Sequence, residues 1–196
     1  MKNYVAALGF GFTLALAPGA HAQTVSPPPV PANIAVPDSS HAFLVGRGVG
    51  TQNYSCAPGK SLGRVAWTLF TPEATLFDDF RGQLTTHFFS PNPAEGGIVR
   101  ATWEGSRDTS MVWAKVNASS TDPNFVNQDA VAWVLLQRVG GQAGPTGGDT
   151  FAGTTFIQRL NTVGGLAPST GCDTPQDIGK KAFIPYTADY FFYTKD

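Results

Sequence analysis

Two histidines, a scatter of carboxylates and one arginine on an otherwise apolar strand are the side chains of this sequence that could carry chemistry. Of three histidines in all, His21 falls in an apolar N-terminal stretch, which leaves His41 and His87. His87 sits in the strand-like run Gln83 to Ser90 and shares a face with Thr85 and Phe89. An imidazole there can serve as the base of a Ser-His-Asp or His-carboxylate arrangement, or act as a structural hydrogen-bonding group. No G-x-S-x-G nucleophile elbow accompanies it. Glu104 with Asp108 or Asp189 supplies the carboxylate pair that glycoside hydrolysis needs, without a spacing that singles the pair out. A zinc site needs three or four imidazole or thiolate ligands, more than the chain provides once its cysteines are paired, and no D-x-[DN]-x-[DN]-G calcium loop occurs. No metal and no cofactor is expected.

Binding chemistry has more candidates. Trp67, Trp103, Trp113 and Trp133 are spread one to a strand, as core residues or as stacking platforms. Arg159 and Asn161 fall on the strand face that also carries Ile157 and Val163, and a polar pair there lines a pocket or holds a loop. Tyr190 stands on one face of the last strand with Tyr186, Ala188 and Phe192. The candidate binding set is therefore His87, Trp103, Arg159, Asn161 and Tyr190, with His87 the one candidate catalytic residue. Gly46-x-Gly48-x-Gly50 invites comparison with a phosphate loop, but Thr51 to Tyr54 continues as strand, so a glycine-kinked strand is expected.

The elements that must position these residues are strands. Only 14% of the 196 residues are charged, while glycine (22), proline (15) and aromatic residues (12%) abound. That composition suits short strands and tight turns. The length fits one domain. The expected fold is all-β, an antiparallel β-sandwich or partly closed barrel of about eight or nine strands with one disulfide. Ala130 to Val139 is a continuous apolar run that periodicity alone leaves open between strand and helix, and its valines and glycine-rich flank favour strand. Pro72 is expected to break the run Arg64 to Phe70, and Pro185 to mark an edge or bulge. Gly140 to Asp149, with five glycines, reads as a mobile surface loop. A membrane-spanning β-barrel fits less well, because several strands are apolar on both faces.

Before the domain, Lys2, the apolar run Val5 to Ala17 and Ala20-His21-Ala22 read as a secretory signal over residues 1–22. Residues 23–40, with five prolines, read as an extended leader or spacer, and residues 41–196 as the single β-rich domain. Export and an even cysteine count make a Cys56–Cys172 disulfide the natural pairing. The formal charge of −1 and the scattered basic residues exclude nucleic acid and anionic membrane surfaces as partners.

The stretches from Gly48 to Cys56, Trp67 with Pro72-Glu73-Ala74-Thr75-Leu76, His87, the segment Phe156 to Pro168 before Cys172, and Tyr186 to Tyr193 together resemble the exported family called domain of unknown function 3455. The likeness spans nearly the whole chain after the signal. It implies a secreted or periplasmic protein with both cysteines in matching positions, and it assigns no catalytic residue. Some fungal members of that family carry a malate dehydrogenase label, for which this chain lacks the Rossmann fingerprint and the alternating βαβ pattern. One departure stands out: where the family tends to have Asp-Gly-Ser, this chain has Asp108-Thr109-Ser110, which puts a positive-φ turn there in doubt. The expected function is a non-catalytic binding module for a small molecule, glycan or cell-surface partner. The alternatives are an extracellular hydrolase using His87, and an envelope or matrix structural protein.

Overall fold

The computed structural model describes residues 25–59, 61 and 63–195. The segment read as a signal, residues 1–22, lies outside them. Eight antiparallel strands follow one another around a closed barrel: β1 (Ser40–Pro58), β2 (Val65–Phe77), β3 (Gln83–Asn92), β4 (Ile98–Gly105), β5 (Met111–Ser120), β6 (Trp133–Gln142), β7 (Phe156–Gly164) and β8 (Lys181–Lys195). Each strand pairs with its neighbours in sequence, and β8 returns to β1. Closure leaves no sheet edge to cover. Of the ambiguous run Ala130 to Val139, the part from Trp133 onward is strand, as its β-branched residues favoured, while Ala130 to Ala132 lead into it outside the strand.

Glycines on β1 make the closure possible. Gly46, Gly48 and Gly50 recur at period two, and a Cβ on Gly48 would stand 2.9 Å from the Tyr190 ring, one on Gly46 equally near Leu76. On Gly50 it would lie 1.9 Å from the Glu73 carbonyl oxygen. The G-x-G-x-G run is thus a strand face that lets neighbours approach, as expected for a glycine-bearing strand rather than a phosphate loop.

The two prolines are tolerated for one reason. Pro72 does not end β2, which runs through it, because the β2–β3 ladder covers only Ala74 to Phe77. Pro185 likewise pairs with Thr51 of β1 but lies beyond the last β7–β8 pair, Gly164 with Tyr186. In both places the absent N–H falls where a ladder has lapsed.

Apolar side chains fill the lumen: Leu76, Trp103, Val112, Ile157, Tyr190 and Phe192 all belong to one buried cluster. That is the reverse of the polar lumen of membrane-spanning barrels. One end of the lumen is closed by Phe151, 1% exposed, whose ring meets Phe192 at 5.0 Å between centroids. Its backbone N–H donates to Ser110 Oγ, which donates in turn to Asp108 Oδ1. The glycine-rich stretch Gly140 to Asp149 is more structured than its composition suggested. Residues through Gln142 pair with β5, and Gly144 and Gly148 pass so close to Asp108 that neither has room for a Cβ. In the β4–β5 turn that this stretch packs against, Thr109 adopts φ 54°, so the positive-φ conformation persists there without a glycine.

A second buried cluster lies on the outer face, where Trp133, Leu135, Leu160, Phe191 and Tyr193 are covered by Val25, Val30, Ile34 and Val36. The proline-rich leader is therefore packed against the barrel rather than standing off as a spacer. Prolines hold it extended while the interspersed valines and Ile34 bury against β6, β7 and β8. A 3-10 turn at Ala32–Ile34 aims the Ile34 carbonyl at Gln158 Nε2, which donates to it at 2.7 Å. The other end of that amide accepts from the Tyr193 hydroxyl. Cys56 near the end of β1 and Cys172 between β7 and β8 form the expected disulfide, with Cα atoms 5.4 Å apart and a sequence separation of 116. A closure of that span contributes about 4 to 5 kcal/mol in the chain-entropy account.

Two stability measurements follow from these contacts. Ile34→Ala lowers the unfolding free energy by about 2 to 4 kcal/mol in urea titration, whereas an unpacked leader would leave it unchanged. Thr109→Gly relieves a β-branched residue of a left-handed conformation and raises the unfolding free energy by about 0.5 to 1 kcal/mol after the added chain entropy of glycine is subtracted.

Candidate functional site

The end of the barrel opposite Phe151 is not filled. The ladders lapse there: β4 and β5 pair only from Ala101 and Ala114 inward to Glu104 and Met111, and β2 meets β3 only from Ala74 onward. The β3–β4 hairpin, paired along its whole length, bends its tip over the outer face of β5. Trp113 Nε1 donates to Ser90 Oγ at 2.9 Å, and Asn92 Nδ2 reaches the Val139 carbonyl. Beyond the ends of the β2–β3 and β4–β5 ladders, Leu69, Pro72, Phe89, Val99 and Lys115, each still paired on the other side of its strand, contribute to the wall of a cavity of about 440 Å³.

Four of the five predicted binding residues line that cavity. His87, Trp103, Arg159 and Tyr190 come from β3, β4, β7 and β8, and antiparallel register alternates their strands' side chains inward at this level. His87 and Trp103 are direct partners across β3 and β4, with rings stacked at 4.1 Å and 7° between planes. Tyr190 stands edgewise to Trp103 at 5.8 Å. All three are buried.

Asn161 is elsewhere. The expectation that it shares a face with Arg159 assumed unbroken alternation, but the β7–β8 register shifts between Leu160 and Val163, and Asn161 adopts φ 50°. Its side chain is exposed, and Nδ2 donates to Asp189 Oδ2 at 2.8 Å. Asp189 also holds Arg47 Nη1 at 2.9 Å, so this outer cluster is a surface ion pair. Val163, 58% exposed, leaves the inner face with it.

His87 has the geometry of a buried neutral imidazole. Nδ1 lies 2.9 Å from the Thr102 carbonyl oxygen, which can only accept, so the ring proton resides on Nδ1. Burial pushes the pKa down to about 3; the Thr102 hydrogen bond opposes this and the charge of Arg159 adds to it. No serine, threonine or carboxylate side chain is hydrogen-bonded to the ring among the described residues. The carboxylates considered for glycoside cleavage do not converge either. Asp108 is committed to Ser110 and Thr150 at the closed end, and Asp189 to the outer surface.

Sequence reasoning missed three contributors. Gln52 lines the cavity from β1, and its position continues the even-numbered series of inward glycines, which was the available signal. Tyr186 hydrogen-bonds Tyr190 through their hydroxyls at 3.0 Å, and it was already on the same face of the last strand. Tyr54 Oη donates to the Gly165 carbonyl at 2.7 Å and ties the β7–β8 connection to β1, following a bulge at Asn53/Tyr54 that no pattern announces. Gly164 and Gly165, both at positive φ, end β7 as expected.

Arg159 acts on the whole group. Its Nη2 donates to the Ala132 carbonyl at 2.8 Å, and Nε is buried without a partner. Burial raises the phenol pKa values of Tyr54, Tyr186 and Tyr190, and the guanidinium charge partly offsets that in each.

The model for "Protein of unknown function (DUF3455)" matches residues 37–194. The chain belongs to the DUF3455 family. No curated protein and no solved structure matches it. The two cysteines form the disulfide that their even number led one to expect. The malate dehydrogenase label carried by fungal members finds no counterpart in a closed antiparallel barrel, which lacks the parallel βαβ crevice that holds a dinucleotide.

The buried imidazole gives a pH test. With the folded value near 3 and an ordinary value of 6.5 when unfolded, the unfolded chain alone takes up the proton as pH falls. Stability is unaffected above the unfolded value and is lost between it and the folded one. Between pH 7.5 and 5, His87 removes about 2 kcal/mol from the unfolding free energy. His87→Gln flattens that interval, and NMR of the native protein finds the His87 ring still neutral at pH 5.

Proposed function

We propose that this protein is an exported, non-catalytic binding module whose ligand is a small molecule held in the end cavity of the barrel. One observation carries the reading. At a single barrel end, a cavity of a size typical of small-ligand sites coincides with buried polar groups, Trp103 Nε1 and Arg159 Nε, that have no partner among the described residues. Buried polar groups are ordinarily satisfied, and a cluster of exceptions lining one concavity indicates a ligand's place. Export is supported by the signal-like pattern of residues 1–22 and by the formed disulfide.

The hydrolase reading has less support, since His87 is a weak base with no nucleophile or orienting carboxylate beside it. A glycan platform would set several tryptophans along one surface. Here Trp103 alone enters the cavity, while Trp113 lies under the β3–β4 hairpin and Trp133 under the leader. A purely structural role leaves the cavity without a purpose.

Ala114 is fully buried on the cavity wall, so Ala114→Phe should plug the site. Titration with the neutral fluorescent probe N-phenyl-1-naphthylamine gives one site per wild-type chain, and the plugged variant binds at least about tenfold more weakly while retaining a cooperative melt. Absence of saturable binding to wild type, or equal binding by the plugged variant, rules this reading out.

A further inference from the structure

We propose that the ligand of the barrel cavity is an organic monoanion, a carboxylate on a flat apolar body, with its charge set against Arg159. This rests on the small-molecule reading above and adds the chemical class.

The sign of the site comes from its unmet groups. Three buried side-chain atoms without partners belong to cavity-lining residues: Gln52 Nε2, Trp103 Nε1 and Arg159 Nε. All three are N–H donors. An indole and a guanidinium have no acceptor function to offer, so what satisfies them must accept. The Gln52 amide comes near the Tyr186 hydroxyl without reaching hydrogen-bond geometry, and Arg159 likewise nears that of Tyr190. The imidazole of His87 does not compete for an anion, since its one ring proton is taken by the Thr102 carbonyl.

The charge is as telling as the donors. Arg47 is neutralised by Asp79 and Asp189, and Arg100 is held by both oxygens of Glu95. Arg159 has a single backbone carbonyl at 2.8 Å and, among the described residues, no carboxylate within ion-pair distance. Holding even a part-buried cation without a counter-ion carries a cost, which a counter-ion arriving with a ligand would remove. Lys115 at the rim has the same sign.

The walls define the rest of the molecule. Leu69, Pro72, Phe89, Val134 and Leu136 form an apolar stretch of the wall, suited to an apolar body, and the stacked His87–Trp103 pair adds aromatic rings to it. One inward guanidinium matches one negative charge. A phosphate dianion would bring a second charge and several acceptor oxygens into an apolar chamber.

The test compares 2-naphthoate with its uncharged isostere 2-naphthamide by calorimetry and by quenching of tryptophan fluorescence. Wild-type protein binds naphthoate about tenfold or more tightly than the amide, the difference expected of a charge-assisted hydrogen bond. Arg159→Gln abolishes that preference by weakening naphthoate alone. Because Arg159 also holds the Ala132 carbonyl, Trp103→Phe serves as a second variant that removes one donor and keeps the ring wall; it weakens naphthoate more than the amide. Equal or tighter binding of the amide by wild type overturns the anion assignment while the small-molecule reading stands. Failure of both compounds and of the neutral probe overturns the two together. A preference for naphthoate that survives in Arg159→Gln assigns the anion site elsewhere and also overturns the proposal.

Discussion

The pairing of the first strand with the last is the constraint on which the rest depends. β1 must be hydrogen-bonded on both sides at once, to β2 through Pro58 and to β8 from Ser40 to Ser55. Antiparallel strands so closed force their inner faces to converge, and the interior has no room for a third set of bulky side chains at that seam. Three alternate glycines on β1 resolve the conflict. They let Leu76 and Tyr190 occupy lumen that β1 side chains would otherwise fill. Without closure there would be an open sheet with two edges, and the inward residues of β3, β4, β7 and β8 would not face one another across an enclosed space.

The lumen is asymmetric by construction. At one end Phe151 completes an aromatic plug with Phe192, fastened by the hydrogen bonds through Ser110 and Asp108. At the other end, bulges and short ladders spread the strands apart. There the disulfide and the Tyr54–Gly165 hydrogen bond pin the β7–β8 connection beside the cavity without entering it. The two outer additions, leader and hairpin tip, cover apolar side chains that a barrel of alternating strands would otherwise expose, Trp133 and Trp113 among them. Part of the stabilising burial is therefore placed outside the barrel or at its plugged end.

Much of this was legible in the sequence because period two is robust to small errors of register. Composition, turn spacing and alternation gave an all-β fold of about eight strands, and the cysteine count gave the staple. Inward positions such as His87, Trp103, Arg159 and Tyr190 followed from alternation on separate strands. Alternation fails where a bulge intervenes, and that is why Asn161 was placed with Arg159 although the chain turns it outward at φ 50°. Pro72 misled for a different reason, since β2 runs through it. A strand ends at proline only if its N–H is needed, and whether a neighbour pairs at that level is a property of the ladder, not of the local sequence. The leader's packing was hidden in the same way, since Val25, Val30, Ile34 and Val36 show an apolar stripe only against the surface they cover.

The cavity raises the question of how a folded chain tolerates an inward guanidinium with no internal counter-ion. Part of the answer is local: the Ala132 carbonyl accepts from Nη2, and the hydroxyls of Tyr186 and Tyr190 place polar groups beside the charge. These contacts solvate the cation only in part, for Nε is left without a partner. The remaining cost must be offset elsewhere, and the structure has means to do so in barrel closure, a disulfide spanning 116 residues and the leader's buried layer. A chain selected for stability alone would have little need of a charge at the part-buried position 159. Retaining arginine there, among apolar walls and donors without acceptors, is what a site would require if its missing acceptor is brought by the molecule it binds.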